Sequence, residues 1–138
     1  MASGIYNVAK TQWLKKSVDM VNDSLKCSLL TSSASFTASN TQWSDISANE
    51  ISGAGYSTGG TALATKTATQ DNSGNRGVFD AEDVTWVSAS FTARYAAIYD
   101  DTTATKYLIA LIDFGGDQTV SSGDFKIQWS ASGILAIV

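Results

Sequence analysis

The chain has 138 residues, a net charge of −4 and a pI near 4.5, and 43% of it is hydrophobic and 10% aromatic. That length suits one domain with a core of its own, and the apolar content excludes intrinsic disorder. The shortage of Lys and Arg excludes the clustered basic surface on which phosphate backbones dock, so no nucleic-acid partner is expected.

Charged residues make up only 16% of the chain, and Ser and Thr supply much of the polarity. Thr suits pleated strands, whereas Ser suits turns. Proline is absent, which leaves the turns to Gly, Asn, Asp and Ser. The lone Cys27 cannot form an intrachain disulfide, and a cytoplasmic assembly compartment is the simpler expectation. No basic and apolar leader pattern follows Met1, so no signal peptide is expected. The longest apolar run, residues 107–112, is far short of the ~20 residues a membrane helix needs, so no membrane partner is expected.

In chain order, Val8, Ala9, Trp13, Leu14, Val18 and Val21 recur at spacings of three and four, which predicts a short N-terminal helix, with an extended arm as the alternative. From Leu25 the period becomes two. Leu25, Cys27 and Leu29 predict a half-buried strand with Cys27 as a small core residue. Residues 32–60 form the longest irregular stretch and are the first place to look for partner contacts. Residues 61–69 predict a Thr-rich strand. Phe91, Ala93, Tyr95, Ala97 and Tyr99 are expected on one face of another, with Thr92, Arg94, Ala96 and Ile98 opposite. Residues 107–114 predict a central strand covered on both sides. Phe125, Ile127 and Trp129 alternate with polar residues, and residues 133–138 end the sequence as an apolar strand. Turn chemistry falls at Asp71-Asn72-Ser73-Gly74-Asn75, Asp100-Asp101-Thr102-Thr103, Gly115-Gly116-Asp117, Ser121-Ser122-Gly123 and Ser132-Gly133.

These elements predict an all-β fold, an antiparallel β-sandwich or jelly-roll-like barrel. Residues 1–24 form its N-terminal arm or short helix and residues 25–138 the single β-sandwich domain. Deleting residues 1–20 is then expected to leave a folded domain.

No His occurs anywhere, which removes Ser-His-Asp and Cys-His sites, the commonest general base and most zinc or copper sites and leaves carboxylates to carry any catalysis. Asp80, Glu82 and Asp83 lie close together but lack the spacing of an EF-hand and are expected to form a hydrated acidic loop. Gly53-Ala54-Gly55-Tyr56-Ser57-Thr58-Gly59-Gly60 fails as a phosphate loop, because Lys does not follow the last Gly and a strand does. Its glycines are expected where the backbone takes positive φ or passes close to a neighbour. No catalytic residue, cofactor or metal site is therefore expected. Trp86 and Trp129 belong to alternating strands and are expected in the core. Tyr6, Trp13, Trp43 and Tyr56 lie in the N-terminal segment and the long loop, and are candidate interface residues because aromatics anchor protein contacts.

An ordered set of blocks runs through the chain: Leu29-Leu30-Thr31-Ser32-Ser33; Glu50-Ile51-Ser52-Gly53-Ala54-Gly55-Tyr56 with Gly59-Gly60; Phe79-Asp80-Ala81-Glu82-Asp83-Val84-Thr85-Trp86; Ala93-Arg94-Tyr95-Ala96-Ala97-Ile98-Tyr99; Ile112-Asp113-Phe114-Gly115; and Phe125-Lys126-Ile127-Gln128-Trp129 with Gly133-Ile134. Taken together these blocks resemble a group of small virion structural proteins of tailed bacteriophages. One departure is a missing proline after the Thr-Ser-Ser block, where residues 34–38 stand. The resemblance implies a virion component, and the small size favours among such components a capsid decoration, or cement, protein on the outer surface of the virion, assembled in the bacterial host cytoplasm. Its implied partners are the major capsid protein and copies of itself in a homotrimer. A tail, head-fibre or baseplate component and a carbohydrate-binding adhesion module are the alternatives.

Overall fold

A computed structural model describes residues 3–138. The fold is all-β and sandwich-like, with one short N-terminal helix. Its elements are β1 (Gly4–Ile5), α1 (Asn7–Leu14), β2 (Leu25–Leu30), β3 (Thr61–Ala62), β4 (Thr67–Asp71), β5 (Arg76–Asp80), β6 (Val84–Asp100), β7 (Leu108–Ile127) and β8 (Leu135–Ile137). All pairings are antiparallel: one sheet runs β1-β7-β6-β2-β3 and a second runs β4-β5-β8.

The β6–β7 hairpin is the spine. Near its turn it is flanked by β2, paired from Leu25↔Asp100 to Leu30↔Tyr95, and by β1 on the opposite side. Here both faces are covered, as expected for residues 107–114. Leu25, Cys27, Leu29, Ala96, Ile98 and Ile109 share one cluster with Phe79 of the second sheet and with Leu63, which follows β3. Leu30, Tyr95, Ala97, Tyr99, Leu108 and Leu111 face a second cluster, closed over by Tyr6, Ala34 and Ile46. Cys27 is fully buried, and burial pushes its thiol up to about 12. Beyond the β2 pairing, the hairpin keeps one covered face, where Phe91 and Phe125 lie 5.1 Å apart between ring centroids and Trp86 and Phe125 6.1 Å.

Several sequence expectations are revised. Phe91, Ala93, Tyr95, Ala97 and Tyr99 do not share one face, because alternation breaks at Arg94: Phe91 and Ala93 join the cluster facing the second sheet, and Tyr95, Ala97 and Tyr99 join the other. The pairs Ala93↔Gln118 and Tyr95↔Asp113 leave residues 114–117 looped out of β7 opposite Arg94. Arg94 Nε donates to Asp113 Oδ1 at 2.8 Å and its second nitrogen reaches Oδ2 at 3.4 Å, a two-pronged pair that pins the irregularity. The Gly115-Gly116-Asp117 and Ser121-Ser122-Gly123 sets are therefore bulges inside one 20-residue strand, not turns between strands. The Thr-rich strand is split in two at Thr65, whose φ is 52°. The turns at 71–75, 100–103 and 132–133 stand where expected.

The helix is shorter than the apolar spacing predicts. It stops at Leu14 because Lys16 takes φ 62°, Ser17 N–H bonds to Gln12 C=O at 2.9 Å and Lys16 N–H to Trp13 C=O at 3.1 Å. These two bonds form a Schellman closure built on a lysine instead of a glycine. Leu14 and Val21 are exposed, while Tyr6, Ala9 and Val18 are buried in the two clusters. Residues 3–24 thus share the core of the strands that follow them. No helix is long and apolar enough to cross a membrane among the described residues.

Candidate functional site

A large apolar opening lies between α1 and the second sheet. Two adjoining cavities, of about 720 Å³ and about 510 Å³, share Trp13 and Ile137 and form one trough. The larger lies over β4, β5 and β8, walled by Trp13, Met20, Val78, Phe79 and Leu135, with the Arg76–Asp71 ion pair (2.8 Å) among its lining residues. The smaller lies between Ile5, Lys10, Trp13 and Leu14 on one side and residues 136–138 on the other. Leu14 is 91% exposed, Ile137 53% and Val138 99%. An apolar surface of this kind, concentrated and edged by charge, is a candidate interaction site.

The trough gathers residues distant in sequence: the helix end, the β4–β5 hairpin and the last strand. Of the four candidate interface aromatics it contains one. Trp13 is half-buried and walls both cavities. Tyr6 is fully buried, 4.9 Å from the Phe36 ring, and burial pushes its hydroxyl up to about 12; it offers no surface to a partner. Trp43 is half-buried and stacks on Tyr99 at 4.6 Å with an interplanar angle of 8°. Tyr56 is half-buried, accepts the Leu29 N–H at 3.0 Å and donates to Glu50. These last two fasten the long loop to the sheet. The trough residues that the sequence pattern does not single out are Leu14 and Ile137: Leu14 belongs to the apolar spacing that predicts the helix yet is 91% exposed, and Ile137 of the apolar end strand is 53% exposed.

The glycine-rich loop is a backbone device. Glu50 Oε2 accepts both the Tyr56 hydroxyl and the Gly59 N–H (2.7 Å), and Tyr99 donates its hydroxyl to the Gly59 carbonyl at 2.7 Å. Gly60, at φ 84°, lies so close to the Cys27 carbonyl that any Cβ there would collide with it.

The acidic groups are mostly engaged in holding the chain. Asp83 Oδ1 accepts the Trp129 N–H at 3.0 Å, and its other oxygen lies 3.4 Å from Lys126. Trp129 Nε1 donates to the Glu82 carbonyl at 3.0 Å. Asp101 pairs with Lys106 and, at 3.7 Å, with Lys26, and both cations hold its carboxyl below the usual range. Asp100 is fully buried beside Asp23, and burial, then Asp23, raises its carboxyl to about 7. Among the described residues, no three Cys, Asp or Glu side chains converge as metal ligands would.

No known protein family, curated protein or solved structure matches the chain.

Proposed function

We propose that this chain is a structural virion protein of a tailed bacteriophage. It decorates the outer capsid surface by docking on the major capsid protein, in the company of copies of itself. The geometry that supports this reading is the exposed apolar trough between α1 and β8, a surface that suits binding rather than turnover. The ordered sequence blocks and the absence of His agree with it. Many copies on a symmetric shell let weak contacts add through avidity.

Copy number tests the reading. Peptide quantitation of purified particles against the major capsid protein is expected to give hundreds of copies, and tens or fewer would replace it with the tail or fibre alternative. The carbohydrate-binding alternative wants an exposed, flat aromatic platform, whereas each of the nine Trp and Tyr residues is at least half-buried.

A further inference from the structure

The trough is bordered by strand edges as well as by apolar side chains. β8 ends its sheet, paired on one side by β5, and β1 ends the other, paired on one side by β7; neither has a second strand partner among the described residues. Ile5 of β1 and residues 136–137 of β8 both line the smaller cavity. Open edges carry backbone N–H and C=O groups that another strand can pair with.

With the Arg76–Asp71 pair neutralising itself, the side-chain charge left lining the trough is the cation Lys10, and Lys16 lies close enough to Asp19 to act on it. Of the nine Lys and Arg residues, Lys26, Arg76, Arg94, Lys106 and Lys126 form ion pairs. Three of the remaining four are Lys10, which lines the smaller cavity, and Lys15 and Lys16, which directly follow Leu14. Among the described residues, three of the four Lys and Arg side chains outside ion pairs thus lie in or just after α1, the helix that walls the apolar trough, in a chain of net charge −4.

We propose that this trough receives an extended segment of a partner protein, apolar toward Trp13, Leu14 and Ile137 and carrying carboxylates that meet Lys10, Lys15 and Lys16. A hydrocarbon chain would fill the space but leave the strand edges unpaired. A second copy docking through the same face would crowd six unpaired lysines around one seam. An acidic, apolar strand satisfies side chains, edges and charge together. The inference rests on the reading of the chain as a docking protein and names the chemistry of what it docks.

The test uses the full chain and two labelled peptides, one alternating Val with Glu and one alternating Val with Lys, followed by fluorescence anisotropy. The Val/Glu peptide is expected to bind at least tenfold tighter than the Val/Lys peptide, with backbone amide NMR shifts confined to α1 and residues 15–16 and to the trough-lining parts of β1, β4, β5 and β8. Leu14→Asp, at a side chain 91% exposed and so outside the core, is expected to weaken it at least tenfold. The triple change Lys10→Glu, Lys15→Glu, Lys16→Glu is expected to reverse the peptide preference. Equal binding of the two peptides, no binding up to millimolar concentration, or shifts elsewhere on the surface would overturn the proposal. So would dodecanoate occupying the trough where the Val/Glu peptide does not, or a dimer in sedimentation that Leu14→Asp dissolves. The assay needs no particle, so its failure is distinguishable from a failure of the copy-number measurement.

Discussion

Tyr56 donates a 2.5 Å hydrogen bond to Oε2 of Glu50, six residues earlier, while its own oxygen accepts the Leu29 N–H from β2. One hydroxyl thus ties the glycine-rich loop to the central sheet, and burial followed by the Glu50 bond drives its pKa well above the ordinary tyrosine value. Tyr56→Phe strands both the Leu29 donor and part of the Glu50 carboxylate, and is expected to cost about 1–3 kcal/mol. Urea unfolding measures it, and native-state hydrogen exchange should show the Gly59 amide opening first.

Gly60→Ala is expected to cost more than a usual surface change, about 2–4 kcal/mol, because it combines a left-handed φ with a collision against the Cys27 carbonyl. Lys16→Gly should act in the opposite sense. It relieves a non-glycine residue at the left-handed position closing α1, and a gain of about 0.5–1 kcal/mol is expected in thermal unfolding.

The buried Asp100 sets a pH dependence. The folded chain holds its proton up to about pH 7, whereas the unfolded chain releases it near 3.8. The folded state therefore binds more protons between those values, and stability is full at the lower end and lost as pH rises through the upper. Asp19, Asp45, Asp71, Asp101 and Asp113 are shifted down, so their contribution is lost only on acidification below their unfolded values. Urea midpoints across pH 4 to 8 should fall with rising pH in the wild type and stay nearly flat in Asp100→Asn, which keeps an oxygen for the Thr102 N–H (2.9 Å) and gains a donor toward Asp23.

The N-terminal segment is part of the core. Tyr6→Ala is expected to cost about 3–5 kcal/mol, because it empties a fully buried aromatic site. Tyr6→Phe should stay within about 1 kcal/mol, since the hydroxyl has no protein partner among the described residues. Deleting residues 1–20 removes Tyr6, Ala9 and Val18 together, so loss of cooperative unfolding is the expected result and not a stable truncated domain. Point changes at Leu14 are the sound way to probe the surface.

The sequence made the class of fold legible through residues such as Leu25, Cys27 and Leu29, whose alternation survives as a fully buried inner face. It did not separate bulges from turns. Gly115 at φ 85° and Ser122 at φ 50° supply the left-handed backbone both features need, so a 20-residue strand looked like three shorter ones. The break at Thr65 left no signal, because a β-branched residue seldom takes positive φ. The candidate trough was hidden for a related reason: its walls come from three distant segments, and only Trp13 announced itself by residue type.

If the chain decorates a phage capsid as proposed, the α1–β8 trough is the face that docks there. Electron cryomicroscopy of purified particles, with the fold fitted to the surface density, measures this directly. The expected result is a regular outer layer with Trp13, Leu14 and Ile137 turned onto an extended, acidic segment of the neighbouring shell protein. Density for the chain only at the tail, or a capsid layer with that trough facing solvent, would contradict it.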